Sequence, residues 1–165
     1  MLQPTTGSIT IEQQQLYSLS SKQRASFRAR NIGFVFQMFH LVPYLSVIDN
    51  VLLASHQPKT SKSIGRAEQE LVELGLEHRL SHRPAELSAG ERQRTAIARA
   101  MFNQPSIILA DEPTGNLDPE NSQQVFQQLQ RFNQSGGTVI AVSHGTDADS
   151  FASRTIHLQN GRIAP

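Results

Sequence analysis

Apolar residues recur along this chain at two alternating spacings, and five stretches have the pattern of β-structure. Residues 8–11 (SITI) alternate polar and apolar side chains, which is typical of a half-buried strand. Residues 31–36 (NIGFVF) are β-branched and aromatic. Residues 106–110 (SIILA) and 138–142 (TVIAV) are apolar runs that predict buried strands, the first covered on both faces. A terminal β-hairpin is predicted over residues 155–161, whose Asn-Gly pair favours a tight turn.

Between these strands, apolar residues return every three or four positions, the spacing of a helix that buries one face. Residues 21–30 predict a short basic helix. Ser46 is the expected N-cap of a second helix, which stops before Pro58. A third helix is predicted over residues 64–76, with Gly75 as a break near its C-terminus.

The second half of the chain has stronger helix signals. Residues 88–91 (SAGE) form a capping-box pattern that opens a helix, and Pro105 ends it. Asp118 followed by Pro119 opens another helix, whose inner stripe is Val125, Leu129 and Phe132. Because strands and helices alternate, the chain is predicted to be an α/β domain with a largely parallel sheet.

Composition limits the possible partners. The 165 residues are 38% hydrophobic, enough for one sizeable core, so a single domain is expected. Fifteen basic residues nearly balance fourteen acidic ones, which argues against nucleic acid or anionic lipid as a partner. The uncharged stretch at residues 32–48 is too short and too interrupted to span a membrane. Any membrane contact is therefore expected to run through a protein partner.

Polar side chains follow three of the predicted strands. Asp111 and Glu112 come directly after residues 106–110, at the carboxyl end of a strand, where open α/β sheets bind ligands. One carboxylate there can hold Mg²⁺ while the other orients an attacking water, although two solvated loop acids are the alternative. Gln37 and His144 also follow strands and could reach the same ligand. A polar strand end and a surface histidine are the plainer interpretations of these two.

A second candidate site lies at the start of the capping-box helix. Ser88, Ala89 and Gly90 present a hydroxyl and backbone amides at the positive end of a helix dipole, an arrangement that suits phosphate. An ordinary helix cap, closed by Glu91, explains the same four residues.

Order and spacing make these motifs more specific together than apart. Four features occur in a characteristic order: Gln37 after a strand, residues 87–94 (LSAGERQR) opening a helix, residues 107–118 (IILADEPTGNLD) and Ser143-His144. Together they resemble, over essentially the whole chain, the ATP-binding subunits of ABC transporters. The resemblance implies a Q-loop at Gln37 and a signature motif from Leu87 to Glu91, with Ser88, Ala89, Gly90 and Glu91 contacting nucleotide. It also implies a Walker B strand ending at Asp111, a catalytic Glu112, a D-loop reaching Asp118 and a switch histidine at His144.

The family also implies a fold, cofactors and partners. The fold is that of P-loop NTPases, with a helical subdomain at about residues 38–100 and a core with Walker B, D-loop and switch histidine at 105–165. ATP and Mg²⁺ are the implied cofactors, with Asp111 and Gln37 serving the metal. The implied partners are transmembrane permease subunits, docked near residues 38–53, and a second copy of the ATPase. The implied location is the cytoplasmic face of the plasma (inner) membrane.

A finer similarity is to the subfamily of lipoprotein-releasing, macrolide-export and FtsE-like ATPases. Residues 30–37 (RNIGFVFQ), 39–43 (FHLVP) and 114–118 (TGNLD) carry it. It implies export or extraction from a membrane.

The chain departs from the family pattern within two motifs. Ala89 replaces the first glycine of the signature pair, which places a methyl group where the backbone should approach phosphate. Gly145 follows His144 where the family commonly has aspartate.

The largest departure concerns the phosphate-binding loop. No Gly-x-x-x-x-Gly-Lys-Ser/Thr pattern occurs in the sequence, and none of the three lysines, Lys22, Lys59 and Lys62, lies in a glycine-rich loop. Residues 2–9 resemble a segment that follows the P-loop helix in the family. The expectation is therefore an N-terminally truncated domain that lacks the P-loop strand and helix.

Two other classes of function stay open at this stage. A non-catalytic remnant that binds a membrane partner without hydrolysing ATP fits the missing P-loop. A DNA-repair or chromosome-organising ATPase head shares the signature and Walker B, but such heads insert long coiled coils where this chain has only residues 38–86 without sustained heptads.

Overall fold

The structure, a computed structural model, describes residues 4–55, 58–144 and 148–164. In chain order its strands and α-helices are β1 (Thr10–Ile11), β2 (Gln14–Gln15), α1 (Ser21–Asn31), β3 (Ile32–Phe36), α2 (Val47–Leu52), α3 (Ser61–Glu73), α4 (Ala89–Met101), β4 (Ile107–Asp111), α5 (Pro119–Gln134), β5 (Thr138–Val142), β6 (Leu158–Gln159) and β7 (Arg162–Ile163). Short 3-10 helices add Leu16–Ser18, Glu77–Arg79 and Pro84–Glu86.

The central sheet consists of β3, β4 and β5, all parallel, with β4 in the middle. In its register Phe36 is level with Asp111, and Asp111 with Val142. The three strands therefore end at the same edge of the sheet. The residues that follow them are brought side by side, which is what places the candidate site.

The helix starts follow their predicted caps. The hydroxyl of Ser46 accepts a hydrogen bond from the amide of Asp49 at 3.2 Å and opens α2. The carboxylate of Asp118 accepts one from the amide of Asn121 at 2.9 Å and opens α5. Each cap satisfies an amide that has no partner inside its own helix. At the other end of α3, Gly75 adopts φ +69°, the left-handed conformation that ends a helix.

One hydrophobic core joins the sheet to helices α2 to α5. Its most deeply buried side chains are Val35, Val47, Val51, Leu71, Leu76, Ile97, Phe102, Ile108 and Val125. The predicted inner stripe of α5 is confirmed for Val125 and Leu129, which are buried, and in part for Phe132, which is half-buried.

The contact between β3 and α4 is close enough to require glycine. A Cβ built on Gly33 would lie 2.5 Å from the carbonyl oxygen of Ala100. The strand and the helix backbone therefore touch directly, and this contact fixes α4 relative to the sheet.

Two predictions about strands of the central sheet were wrong in part. The strand at residues 138–142 is not buried: Val139 packs on the core, but β5 forms one edge of the sheet, and Ile140 and Val142 are 55% and 59% exposed. Strand β4 buries only one of its faces fully, through Ile108 and Ala110.

The first predicted strand and the predicted terminal hairpin are both shorter than expected. The first strand comprises only Thr10–Ile11, and it pairs with Gln14–Gln15 in a small hairpin apart from the central sheet. The terminal hairpin pairs Leu158–Gln159 with Arg162–Ile163 around the predicted turn, in which Asn160 and Gly161 both have positive φ. Residues 155–157 lie outside its strands. Within the described ranges, no helix is both long and apolar enough to cross a membrane.

Candidate functional site

The carboxyl edge of the central sheet brings together the residues that were predicted from strand ends. Gln37 follows β3, Asp111 is the last residue of β4, and Glu112 comes next. The amide of Glu112 donates to the carbonyl of Val142 at 2.9 Å, which holds the acidic pair against the end of β5. His144 stands two residues beyond β5, and all four residues lie at one edge.

Glu112 has two unusual features for a glutamate at a strand end. Its φ is +46°, a left-handed backbone conformation that residues other than glycine rarely adopt. Its side chain is 11% exposed, and its oxygen Oε1 is buried without a hydrogen-bond donor. Nε2 of His144 is 3.2 Å from Oε1, within ion-pair distance, but it is not aligned to donate. The carboxylate of Glu112 is thus held next to an exposed imidazole at this edge of the sheet.

Gln37 is held in place by the loop that follows the acidic pair. A Cβ on Gly115 would lie 2.8 Å from Nε2 of Gln37, so the glycine leaves room for the amide. Nδ2 of Asn116 donates to the carbonyl of Gln37 at 3.1 Å. The two loops are therefore in contact, as a shared ligand site requires.

Ser88 caps α4 through a complete capping box. Its hydroxyl accepts from the amide of Glu91 at 3.2 Å, and its own amide donates to Oε2 of Glu91 at 2.8 Å. Nε of Arg79 donates to Oε1 of Glu91 at 2.8 Å. Burial works against the charge of Glu91, but the Ser88 amide and Arg79 outweigh it and hold the pKa of this carboxyl below its usual range. The capping interpretation of Ser88 is thus confirmed, and its exposed position also leaves it accessible to a ligand.

The rest of this motif packs on the start of α5. A Cβ on Gly90 would meet Oδ1 of Asn121 at 2.0 Å, so no larger residue fits there without a shift. Ala89 is half-buried. Asp118 is exposed, and its hydrogen bonds from the backbone and side chain of Asn121 lower the pKa of its carboxyl. The start of α4 and the start of α5 are therefore neighbours.

Sequence reasoning missed the residues that join these parts. Gln93 is fully buried and donates through Nε2 to the carbonyl of Pro113, directly after Glu112. Nη1 of Arg94 donates to Oδ1 of Asn121 at 3.1 Å and to Oε1 of Gln124 at 3.0 Å. The only available signal was that both residues continue the motif at 87–94, because their partners lie 20 to 30 positions away.

The side chains at this edge that could bind a metal suit magnesium better than a metal whose ligands all come from the protein. Among the described residues, no group of three or more His, Cys, Asp and Glu side chains is placed to hold a metal. Asp111 and Gln37 offer one carboxylate and one amide oxygen. Magnesium is commonly bound by one or two carboxylates, with water and substrate phosphates as its other ligands, so this sparse set fits it.

Comparison with known proteins agrees with this geometry. The ABC transporter family model matches residues 1–115. The lipoprotein-releasing system ATP-binding protein LolD of Idiomarina loihiensis is 44% identical over 163 residues, which is 96% of this chain and 71% of that protein. LolD of Geobacter metallireducens is 43% identical over 163 residues, 97% of this chain and 72% of that protein.

Two solved structures share the fold. The dimeric ATP-binding cassette MJ0796 in a post-hydrolysis state bound to ADP and Pi superposes with a TM-score of 0.85 at 34% identity, over 98% of this chain and 73% of that one. A second dimeric structure of MJ0796, a bacterial ABC transporter cassette, gives 0.86 at 36% identity, over the same shares. The predicted P-loop NTPase-like α/β fold is thereby confirmed, and the chain belongs to the ABC transporter family as an ABC-type ATPase subunit.

Proposed function

We propose that this chain is the ATP-hydrolysing, energy-coupling subunit of an ABC transporter of the lipoprotein-release type. One observation carries the proposal: Gln37, Asp111, Glu112 and His144 meet at the carboxyl edge of one parallel sheet. The two relatives that are named lipoprotein-releasing ATP-binding proteins support the transport type.

Each residue of the edge has a role that its surroundings allow. Glu112 polarises the attacking water, because its carboxylate lies at the sheet edge beside the exposed His144. His144, exposed and 3.2 Å away, contacts the γ-phosphate. Asp111 and Gln37 hold Mg²⁺, which when bound neutralises charge on the phosphates. Gln37 can in addition sense whether metal and water are present, because its contacts with Gly115 and Asn116 hold it at the same edge.

Two copies of the subunit are proposed to enclose ATP between them. In this arrangement Ser88, Ala89, Gly90 and Glu91 act on the nucleotide bound to the opposite copy, and Asp118 lies near the contact between copies. The exposed position of Ser88 at the positive end of the α4 dipole supports this, because an anion can approach its hydroxyl. Both solved relatives are described as dimers.

Permease subunits are proposed to dock on the face around residues 38–53, which places the protein at the cytoplasmic side of the inner membrane. Met38, Tyr44 and Leu53 on this face are 69%, 74% and 53% exposed. Leu53 also lines a cleft of about 570 Å³, together with residues of β3 and α4. Exposed apolar side chains beside a cleft are typical of a protein interface. Residues 38–100 would then form the helical subdomain that carries both docking face and signature, and 105–165 the catalytic core.

The test is Glu112→Gln in a subunit in which a P-loop segment precedes residue 1. The amide keeps the shape of the carboxylate but loses the charge that polarises water, so kcat for ATP hydrolysis should fall by at least about a hundredfold while ATP still binds. Size-exclusion chromatography with ATP should then show a trapped dimer.

Glu120→Gln is the matched control, because Glu120 is an exposed acid in the first turn of α5 and should leave turnover unchanged. Unaltered hydrolysis by Glu112→Gln would contradict the catalytic assignment. An unmodified subunit that binds permease and never hydrolyses ATP would favour the non-catalytic remnant instead.

A further inference from the structure

The turn that carries Glu112 is supported from the signature helix by a single side chain. Gln93, on α4, is 0% exposed, and its Nε2 donates to the carbonyl of Pro113. Pro113 is itself buried and follows Glu112 directly. The bond therefore ends one residue from the carboxylate that acts on water.

The backbone of this turn has a conformation that requires support. Glu112 has φ +46°, which costs on the order of 1 kcal/mol or more for a residue with a side chain. On one side the turn is held by the bond from the Glu112 amide to Val142. On the other side the described contacts show the bond from Gln93. Loss of either would allow the carboxylate to move away from His144.

Gln93 is not what stability alone would select at this position. Its second polar atom, Oε1, is buried without a hydrogen-bond partner, which carries a desolvation cost that an apolar side chain of the same length would avoid. Thr95, also fully buried on α4, satisfies its hydroxyl inside its own helix, at 2.8 Å from the carbonyl of Glu91. The two buried polar residues therefore differ, because only Gln93 reaches another element.

We propose that Gln93 is a positioning residue, through which the signature helix holds the Glu112 turn in its hydrolytic geometry. Ser88, at the start of the same helix, faces the nucleotide of the opposite copy in the proposed dimer. A helix that is displaced when Ser88 loses its nucleotide would pull on Pro113 and alter the position of Glu112. Gln93 thus links the two nucleotide sites that one subunit serves. This inference rests on the proposed function.

The test compares Gln93→Met with Thr95→Val in the complete subunit with a P-loop segment. Methionine retains length and volume but cannot donate to Pro113, so kcat should fall about tenfold while KM for ATP stays within about twofold. Thr95→Val removes a buried hydrogen bond of the same helix and should lower the melting temperature without a comparable loss of kcat. A merely structural role for Gln93 would make the two variants behave alike.

Two further measurements keep the outcome decisive. If Gln93→Met fails to fold, Gln93→Leu, which is also apolar and cannot donate to the Pro113 carbonyl, should show the same loss of kcat. Full turnover by either Gln93 variant would overturn the inference. Glu112→Gln, measured in parallel, separates the two proposals: if Glu112→Gln is inactive and Gln93→Met is fully active, only the positioning role is wrong, whereas an active Glu112→Gln removes the proposed function itself.

Discussion

Ser88 occupies a position where two roles coincide, because the residue that caps α4 is also exposed toward any ligand at the helix start. As a cap alone, it could be replaced by aspartate, which accepts the same amide hydrogen bond and favours the positive end of the helix. As a contact of the γ-phosphate across the dimer, it could not, because a carboxylate would face like charge at close range. The two roles therefore respond oppositely to one substitution.

Ser88→Asp is predicted to abolish ATP-dependent dimerisation of a hydrolysis-deficient subunit with a P-loop segment. If Ser88 were only a cap, Ser88→Asp would be tolerated, and Ser88→Ala would cost about 1 kcal/mol of stability and leave the dimers intact. Thr60→Asp is the matched control, since Thr60 caps α3 with the same capping-box geometry away from the site. Dimers of normal affinity with Ser88→Asp, measured by light scattering, would reduce Ser88 to a helix cap.

At the scale of single residues, the sequence predicts what local patterns encode. Asp111 and Glu112 could be placed because a strand end is visible in the apolar run before them, and Ser88 because a capping box is a four-residue pattern. Gln93 and Arg79 could not be assigned roles, because each acts on a partner far along the chain. No local sequence pattern predicts the left-handed φ of Glu112 or its contact with His144.

At the scale of elements, helix starts were predicted better than strand burial. Caps and stripes are properties of the helix itself, so α2, α4 and α5 begin where expected. Burial of β5 depends on which strand lies beside it and what covers its faces. An apolar run such as residues 138–142 therefore predicts a strand and leaves its exposure undetermined.

Two glycines are predicted to change stability in opposite directions when replaced by alanine, because only Gly33 lies at the contact of β3 with α4. Gly33→Ala should destabilise the protein by about 1–3 kcal/mol, because the new methyl group would meet the Ala100 carbonyl and push α4 away from the sheet. Gly65→Ala, in α3 with open space around its Cβ position, should stabilise by roughly 0.5–1 kcal/mol. Urea unfolding of both variants measures the difference. Equal effects would mean that the strand and helix are not in direct contact.

At the scale of the whole molecule, the 165-residue chain itself is predicted to release no phosphate from ATP above the rate of its own Glu112→Gln variant. The chain contains no P-loop lysine: Lys59 forms an ion pair with Asp49 at 2.7 Å, and Lys22 and Lys62 lie in the first turns of α1 and α3. A sensitive phosphate assay on both chains is sufficient. Release that depends on Glu112 would show that another group holds the phosphates.

The parallel register of the sheet also determines when, during synthesis, the carboxyl edge that carries Asp111 and Glu112 can form. Ile32 pairs with Ile107, and Ile107 with Thr138, so the ribosome must complete most of the chain before these strands can meet. Helices α2, α3 and α4 lie between the first two strands and can begin to fold while the rest is still being translated. The acidic pair therefore reaches its final geometry only after residues 138–142 have been synthesised. A nascent chain that ends before residue 138 can form α4, but it cannot pair β4 with β5, and the amide of Glu112 then lacks the Val142 carbonyl that holds it.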